Sequence, residues 1–383
     1  MYTRCLKKPN HSFLLFGPRG TGKTTWLRQV LPNALWFDLL RTQTLLSLSR
    51  QPESFRQGIE ALPEGSWVVA DEIQRLPTLL NEVHALISEY GTRYSFALSG
   101  SSARKLKRFD VNLLAGRAIN RQFYPLTARE LNYDVDVDRI LRFGLLPQIQ
   151  SESDYAVDAL EAYVSNYIRE EIQQEALVRN LESFARFLEV AALMNGQIVN
   201  VAGVARDAAV ARPTVQGYFS TLTDTLIGFW LPAWRKRVKV KEVASPKFYL
   251  FDTGAARALA GRLREPMESG ERGFLMETWV LHELRAAMAY QNLGGQLHYW
   301  RTPSGSEVDF IWTRGRHSVG IEVKSTATWR TEYGSAIKDL IANGTLTSGF
   351  GIYTGSVKLK DGPLSIWPIQ HFLKMLNAGE VLE

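Results

Sequence analysis

One stretch limits what this chain can fold into more than any other: Gly17-Pro18-Arg19-Gly20-Thr21-Gly22-Lys23-Thr24. It fits the pattern G-x-x-x-x-G-K-[ST], in which glycines let backbone N–H groups converge on a phosphate. The apolar run from Ser12 to Phe16 predicts a buried strand before it, and Thr25 to Leu31 predicts a helix after it, ended by Pro32. A strand, a loop and a helix in this order favour a phosphate-binding loop over a chance glycine-rich turn.

The residues of this loop have separate predicted tasks. The backbone from Gly17 to Thr24, with Thr25 in the first turn of the helix, would surround the phosphates of ATP. The Lys23 ammonium would reach the β- and γ-phosphates, and the Thr24 hydroxyl would sit on Mg²⁺. The sequence therefore predicts ATP and Mg²⁺ as cofactors.

A second buried strand is predicted from Ser66 to Glu72, and it ends in two acids. Downstream of a phosphate loop, Asp71 would hold the Mg²⁺ shell, and Glu72 would orient or deprotonate the attacking water. Without such a loop, the same pair would be two solvated acids at a strand end. The two motifs together predict ATP hydrolysis.

Hydroxyl side chains end the next predicted strand, which runs from Tyr94 to Ser102. Ser99, Ser101 and Ser102 are candidates for sensing the γ-phosphate, with a plain Ser/Gly turn as the alternative. The basic run from Arg104 to Arg108 then predicts a solvated face.

The alternation of buried strands and amphipathic helices over residues 1–145 predicts an α/β domain. Its sheet would be parallel, with helices on both faces and the nucleotide at the carboxyl ends of the strands. Arg117 precedes the last predicted strand, Ala118 to Tyr124. It would act either as an arginine finger on a neighbouring subunit, which requires a homo-oligomer, or as the partner of a local acid.

Residues 146–245 have a helical pattern instead. Asp154 to Asn180 predicts one long helix, and residues 198–219 predict a helix-turn-helix with Pro213 in the first turn of the second helix. From Leu231 to Val243 apolar residues alternate with the basic residues Arg235, Lys236, Arg237, Lys239 and Lys241, which predicts a basic hairpin. Such a winged-helix domain would bind DNA through backbone phosphates; a module used only for packing or subunit contact is the alternative.

The last segment, residues 246–383, predicts an α/β domain with a second charged site. A helix over Gly273 to Leu284 carries Glu277, and a hairpin carries Asp309, Glu322 and Lys324. Glu322 and Lys324 share one face of an apolar strand, within reach of Asp309 on the next strand. Glu277, Asp309 and Glu322 would hold metal ions, and Lys324 would position water or stabilise charge on a phosphodiester. An exposed Glu–Lys pair is the alternative.

Composition narrows the class of protein. A chain of 383 residues, 45% hydrophobic and 22% charged, is long enough for two or three globular domains. No apolar run approaches the ~18 residues of a membrane span, no secretory pattern is present, and the single cysteine, Cys5, cannot form an internal disulfide. These features favour the cytoplasm, and the net charge of +6 points to an anionic partner such as nucleic acid.

Taken together, the motifs resemble a bacterial and archaeal family of AAA+-type ATPases that carry a C-terminal domain of unknown function. The resemblance covers nearly the whole chain. In the C-terminal domain, Val308 precedes Asp309 at the position where the PD-(D/E)xK motif of the resembled nucleases has proline. Glu283 is a second candidate, beside Glu277, for the metal ligand on the helix. The residues that carry the resemblance are Gly17 to Thr24, Ala70 to Glu72, Leu98 to Ser102, Leu114 to Arg117, Phe123 to Leu126, Phe143 to Pro147, Gly273 to Glu277, Glu307 to Asp309 and Glu322 to Lys324.

The resemblance implies a P-loop ATPase domain over 1–145, a helical and winged-helix domain over 146–245, and a PD-(D/E)xK nuclease-like domain, similar to Holliday-junction resolvases, over 246–383. It leaves two functions open. One is an ATP-hydrolysing, DNA-binding protein with a metal-dependent nuclease-like domain. The other is a nucleotide-controlled regulatory switch whose remaining domains bind protein partners.

Overall fold

The computed structural model of the chain describes residues 2–102, 114, 116–168, 180–235 and 245–382. They form two compact units. One comprises Leu6–Pro125 and Asp224–Leu226, and the other Met1–Cys5, Leu126–Thr223 and Ile227–Glu383. The basic run from Arg104 to Arg108 lies outside the described residues, as do Lys236, Arg237, Lys239 and Lys241 of the predicted basic hairpin.

A five-stranded parallel sheet forms the centre of the first unit, as the alternating pattern predicted. Its strands stand in the order β2-β3-β4-β1-β5, and every neighbouring pair is parallel. All five strands therefore end at the same edge of the sheet. The strands are β1 (Phe13–Phe16), β2 (Leu35–Asp38), β3 (Ser66–Asp71), β4 (Tyr94–Gly100) and β5 (Ile119–Gln122).

In the part of this unit that the structure describes, four helices connect the strands and bury their apolar sides against the sheet. Phe55 and Val83, on two of the helices, share one core with Val68 and Phe96 of the strands. Pro52 separates the second helix from the third because its ring removes the N–H that a continuing helix would need. The helices are α1 (Lys23–Val30), α2 (Thr42–Arg50), α3 (Glu53–Glu60) and α4 (Leu79–Tyr90), with a 3₁₀ turn at Ile73–Arg75.

The second unit begins with a group of helices. The helix predicted from Asp154 to Asn180 is interrupted: a 3₁₀ turn (Ser153–Tyr155), an α-helix (Ala156–Ala162) and a π-helical segment (Tyr163–Ile168) follow one another, and residues 169–179 lie outside the described part. Pro213 lies in the first turn of α10 as predicted, where its missing N–H is not needed. The helices are α5 (Val137–Phe143), α6 (Pro147–Ser151), α7 (Ala156–Ala162), α8 (Leu181–Leu193), α9 (Val201–Asp207) and α10 (Arg212–Asp224).

A small antiparallel sheet packs on α10. Its strands β6 (Gln197–Ile198), β7 (Gly228–Leu231) and β8 (Lys247–Leu250) stand in the order β6-β8-β7. The Phe219 ring of α10 lies 4.9 Å from the Trp230 ring and 4.8 Å from the Phe248 ring, measured between centroids. Because β8 pairs with strands from before residue 245, one sheet includes residues from both sides of the boundary predicted at 245–246.

A six-stranded mixed sheet completes this unit, in the order β13-β14-β12-β11-β10-β9. The predicted hairpin is present: β10 and β11 are antiparallel, with Phe310 opposite Ile321. The strands are β9 (Gln296–Arg301), β10 (Glu307–Arg314), β11 (His317–Val323), β12 (Ser348–Tyr353), β13 (Leu359–Asp361) and β14 (Leu364–Pro368). The accompanying helices are α11 (Thr253–Leu259), α12 (Ser269–Gln291), α13 (Ser335–Ala342) and α14 (Ile369–Ala378).

None of the helices within the described ranges is long and apolar enough to cross a bilayer.

Helix α12 is buried over most of its length and is anchored by two polar side chains. His282 Nε2 lies 2.9 Å from the carbonyl oxygen of Leu126, and Glu283 Oε1 accepts the Ala128 N–H at 2.7 Å. The Trp279 Nε1–H also donates to Glu283 Oε1, at 3.2 Å. Burial lowers the pKa of His282 to about 4 and raises the pKa of Glu283 to about 8. Both side chains are therefore neutral at pH 7, which limits the cost of burying them.

We predict that Glu283→Gln makes the second unit more stable in neutral and alkaline solution. The pKa of Glu283 is raised from 4.5 to about 8 on folding, so the folded state retains a proton that the unfolded state has lost. The contribution of Glu283 to the free energy of unfolding is therefore fully present below pH 4.5 and is lost as the pH rises through about 8. Glutamine keeps the acceptor oxygen and cannot ionise.

Thermal unfolding between pH 4.5 and pH 9 measures this effect. The Glu283→Gln midpoint should exceed the wild-type midpoint by several degrees at pH 8 and match it near pH 4.5. Glu189→Gln, at an exposed position of α8, is the control and should change nothing. Parallel pH profiles for Glu283→Gln and the wild type would contradict the raised pKa.

Candidate functional site

The predicted phosphate loop connects β1 to α1. Gly20 and Gly22 have φ angles of 76° and 92°, in the left-handed region that glycine adopts without strain. Lys23 Nζ donates to the carbonyl oxygens of Gly17 at 2.7 Å and Pro18 at 3.1 Å. The Lys23 side chain is buried, and its ammonium is held against the loop.

The loop also has little room on its strand side. A Cβ on Gly17 would lie 2.1 Å from the carbonyl oxygen of Phe123, just beyond β5. Only glycine allows this close approach of two backbones, so the first position of the motif is fixed by packing as well as by any phosphate. Thr21 Oγ1 donates to the Pro18 carbonyl at 2.7 Å and braces the same turn.

Asp71, the last residue of β3, accepts hydrogen bonds at both carboxylate oxygens. Thr24 Oγ1 donates to Oδ2 at 2.7 Å, and Ser99 Oγ, on the neighbouring β4, donates to Oδ1. Asp71 is only 1% exposed. The two motifs therefore meet at the carboxyl edge of the sheet, and their oxygens are of the kind that Mg²⁺ prefers.

Glu72 is held in an unusual backbone conformation. Its φ and ψ angles are 60° and 48°, which cost a non-glycine residue about 1 kcal/mol or more. Gln74 Nε2 donates to Glu72 Oε2 at 2.5 Å and to Ser101 Oγ at 2.8 Å, and Ser101 Oγ also donates to Glu72 Oε2 at 3.2 Å. Ser101 thus touches the predicted catalytic acid, whereas Ser99 touches Asp71.

Gln74 was not predicted from the sequence as a site residue. It follows Asp71-Glu72 by two residues, in the 3₁₀ turn after β3, and is 6% exposed. A polar residue just after an acid pair was the available signal, but nothing in the sequence shows that the turn bends this side chain back onto Glu72.

The remaining residues predicted for this site lie around it. Thr25 is exposed in the first turn of α1, and Arg19 is half-buried in the loop. Ser102 is fully buried after β4. Arg117 is exposed in the turn before β5, where its N–H donates to the Leu114 carbonyl at 2.9 Å. Its predicted action on a neighbouring subunit stays a prediction.

A second group of charged side chains lies in the other unit, which we name the charged cluster. It comprises Lys247, Tyr249, Glu277, Glu307, Asp309, Glu322 and Lys324, contributed by β8, α12, β10, β11 and the residue after β11. Lys247 Nζ lies 3.3 Å from Glu277 Oε2 and 2.6 Å from Glu307 Oε1, and the Lys247 side chain is 4% exposed. Tyr249 donates its hydroxyl to Glu277 Oε2 at 2.8 Å.

The predicted hairpin residues form the other half of the cluster. Asp309 Oδ2 accepts the Val323 N–H at 2.8 Å, which ties β10 to the end of β11. Lys324 Nζ lies 2.5 Å from Glu322 Oε1. Glu322 Oε2 is buried and has no hydrogen-bond partner among the described residues.

The carboxylates of the cluster affect one another's protonation. Burial raises the pKa of Glu277 to about 7; Lys247 opposes this rise and Asp309 adds to it. Burial and then Asp309 raise the pKa of Glu322 well above its usual value, against the effect of Lys324. Burial alone would lower the pKa of Lys247, but Glu277 and the other anionic neighbours outweigh it, so Lys247 stays protonated.

The cluster does not have the arrangement of a metal site as it stands. In the parts of the chain that the structure describes, no three His, Cys, Asp or Glu side chains are placed so that they could hold a metal ion. Glu277 is instead bound by Lys247 and Tyr249. Metal binding by Glu277, Asp309 and Glu322 stays a prediction. Glu283, the second candidate, lies apart from these groups because its carboxylate binds the Ala128 N–H.

The sequence did not predict Lys247, Tyr249 and Glu307 as members of this site. Lys247 opens a strand that is otherwise apolar, Phe248 to Phe251, and this isolated charge was the available signal. Its partners lie 30 and 60 residues further along the chain, at Glu277 and Glu307, and only the fold brings them together.

Three family models match the chain. Residues 9–132 match an AAA domain, residues 135–265 match a domain of unknown function (DUF8612), and residues 272–372 match another domain of unknown function (DUF4143). The phosphate loop and Asp71 lie in the first match. Glu277, Asp309, Glu322 and Lys324 lie in the third, and Lys247 lies in the second.

Similar proteins include the uncharacterized proteins Rv2008c of Mycobacterium tuberculosis and Mb2031c of Mycobacterium bovis. Each is 29% identical over 321 residues, covering 82% of this chain and 70% of the relative. Among solved structures, the ORC2 protein of Aeropyrum pernix is 14% identical over 67% of this chain and 87% of its own, with a TM-score of 0.37. RuvB of Thermotoga maritima is 18% identical over 58% of this chain and 82% of its own, with a TM-score of 0.31.

The matched residues and the geometry agree over the first unit, because the parallel sheet, the phosphate loop and the acid pair all fall within residues 9–132. The chain thus carries an AAA domain and, further along, a DUF4143 domain.

Proposed function

We propose that this chain is an AAA+-type ATPase that binds and hydrolyses ATP and engages DNA through its second unit. The observation that carries the proposal is the meeting of Lys23, Thr24, Asp71 and Glu72 at the carboxyl edge of a parallel sheet. This is the edge at which sheets of this class bind nucleotides. The cytoplasmic location and the homo-oligomer expected from the sequence belong to the same proposal.

The side chains of the first unit would have distinct roles in hydrolysis. Lys23 would exchange the carbonyls of Gly17 and Pro18 for phosphate oxygens. Its ammonium would then stay hydrogen-bonded and would neutralise charge on the γ-phosphate. Thr24 and Asp71 would hold Mg²⁺, which would supply further charge neutralisation at the β- and γ-phosphates. Glu72 would orient the attacking water and accept its proton, and Ser99 would keep Asp71 in place.

Gln74 and Ser101 would set the position of Glu72. Because Gln74 donates to Glu72 and to Ser101, these three side chains form a closed set of hydrogen bonds. A glutamate in a strained backbone conformation is fixed in this way without contact between Gln74 and the phosphate loop. Gln74 is therefore a positioning residue.

DNA binding by the second unit is supported mainly by charge. The segment between β7 and β8 contains Arg235, Lys236, Arg237, Lys239 and Lys241, and it follows the helix pair α9 and α10. Cations in such a position would bind backbone phosphates with little sequence preference. The resemblance of residues 246–383 to PD-(D/E)xK nucleases points to the same ligand.

A second candidate function is a nucleotide-controlled switch whose second unit only binds partners. The engagement of Glu277 by Lys247 and Tyr249 favours this candidate, because a nuclease of the resembled type needs this carboxylate for a metal. Both candidates share the ATPase and differ in what the second unit binds.

We predict that Lys23→Met lowers the rate of ATP hydrolysis by at least about 100-fold, since it removes the phosphate loop's own cation from the γ-phosphate. A coupled phosphate-release assay on the full chain measures the rate. Lys8→Met, which removes an exposed ammonium 4.8 Å above the Trp67 ring, is the control and should retain activity. Unchanged hydrolysis by Lys23→Met would refute the site.

We predict that Gln74→Leu lowers kcat about tenfold or more and leaves the affinity for ATP unchanged. The substitution frees Glu72 but leaves Lys23, Thr24 and Asp71 in place. Steady-state kinetics and titration with a fluorescent ATP analogue separate the two quantities. Gln57→Leu, at an exposed site on α3, is the control. A loss of ATP affinity with normal kcat would contradict the positioning role.

We predict that the full chain binds duplex or branched DNA and that binding weakens steeply as salt rises. A gel-shift series with and without ATP measures binding, and the same samples with Mg²⁺ or Mn²⁺ report cleavage. Cleavage that Asp309→Ala abolishes would establish a nuclease. DNA binding without cleavage would establish a binding-only second unit, and no binding at low salt would favour the protein-partner switch.

A further inference from the structure

Lys247 occupies a position where a lysine is costly. Its side chain is 4% exposed, at the first residue of a strand that continues with Phe248, Tyr249 and Leu250. Removing an ammonium from water is unfavourable unless anions surround it. The packing of β8 does not require a charge, because an apolar residue could fill the same strand position. The role of the charge is therefore to be sought in what it contacts.

Those contacts are two carboxylates from different elements. Lys247 Nζ lies 3.3 Å from Glu277 Oε2 on α12 and 2.6 Å from Glu307 Oε1 on β10, and 5.4 Å above the Tyr299 ring. The ammonium therefore joins α12 to β10 through charge, with an aromatic face beneath it. A divalent cation shared by the same two elements would be held in a similar way.

The other half of the charged cluster has its own cation but an unused oxygen. Lys324 pairs with Glu322 Oε1, whereas Glu322 Oε2 is buried without a hydrogen-bond partner in the described part of the chain. Asp309, 5% exposed, lies two residues after Glu307 on β10 and accepts the N–H of Val323, the residue that follows Glu322. Four carboxylates thus lie in one region with Lys247 and Lys324, and Arg301 Nη1 lies 3.2 Å from Glu307 Oε2 at its edge.

We propose that Lys247 is an internal counterion that takes the place of a divalent cation between Glu277 and β10, so that the charged cluster excludes metal while Lys247 is in place. Removing the ammonium leaves Glu277 without a cationic partner and Glu307 with Arg301 alone, beside Asp309, Glu322 and Lys324. The carboxylates, which are not placed for a metal around Lys247, would then move together on a divalent cation. The proposal builds on the proposed nuclease-like site, and it makes Lys247 the residue that decides whether this site binds metal.

The position of Lys247 in the chain supports a role in controlling metal binding by the charged cluster. Glu277, Asp309, Glu322 and Lys324 lie within residues 272–372, which match one family model, whereas Lys247 lies within residues 135–265, which match another. The counterion is therefore contributed by a different part of the chain from the residues that it neutralises.

Binding of Mn²⁺ to the full-length protein without nucleotide tests the proposal. The signal of free Mn²⁺ in electron paramagnetic resonance reports the dissociation constant. Lys247→Met keeps the length of the side chain without its charge and should bind Mn²⁺ at least tenfold more tightly than the wild type. Lys247→Arg keeps the charge and should behave as the wild type does. Lys338→Met breaks a different ion pair in the same unit, with Asp361, and should also change nothing.

Adding Asp309→Asn to Lys247→Met locates the gained site, because the gain should disappear. If Lys247→Met does not fold without metal, Lys247→Met with Glu307→Gln also removes the carboxylate that Lys247 shares with Arg301, and serves instead. Equal tight binding by the wild type and Lys247→Met, lost with Asp309→Asn, would overturn the counterion role and keep the metal site. No binding by either protein would overturn the counterion role and the metal site together.

Discussion

The hydrogen bonds that Thr24 and Ser99 donate to Asp71 join the two motifs of the first unit. They exist because β1 lies between β4 and β5 while β3 lies on the other side of β4, and all these strands run in one direction. The loop after β1 and the acid at the end of β3 therefore reach the same edge. A different strand order would leave the same residues too far apart to act on one phosphate group.

The second unit depends on a different interaction, the burial of opposite charges. Lys247, Glu277 and Glu307 come from a strand, a helix and a second strand, and their ion pairs join three elements at one point. A buried charge is favourable only with its partners present, so each member of this group constrains the others. The same constraint that holds α12 against the sheet also occupies the carboxylate that a metal would use.

Much of the first unit could be predicted from the sequence because its signals are local. The glycines of the phosphate loop, the apolar run before it and the acids of residues 71 and 72 each act within a few residues of chain. The roles of Ser99 and Ser101 could not be divided in this way. In the structure, Ser99 donates a hydrogen bond to Asp71 and Ser101 donates one to Glu72. This distinction depends on which strands are neighbours in the sheet.

The second unit was harder to predict because its signals are distant in sequence. The hairpin of β10 and β11 followed from a short turn between two strand patterns, and Glu322 and Lys324 followed from strand periodicity. Lys247 could not be placed by such reasoning, since its partners lie far along the chain. Glu283, by contrast, lies close to Glu277 in sequence and on the same helix, yet it is not part of the charged cluster. The turn of the helix directs its side chain to the Ala128 N–H instead.

The most direct test of the account is the rate of Mg²⁺-dependent ATP hydrolysis by Asp71→Asn, with Asp38→Asn beside it. Asp38 ends the neighbouring strand β2 directly opposite Asp71, and its carboxylate accepts the Leu40 N–H and pairs with Arg41 at 3.4 Å, so it is a matched carboxylate whose partners lie outside the phosphate loop. The account predicts that Asp71→Asn loses at least about 100-fold in rate while Asp38→Asn hydrolyses ATP as the wild type does. Equal rates for the two variants would contradict the central role of Asp71.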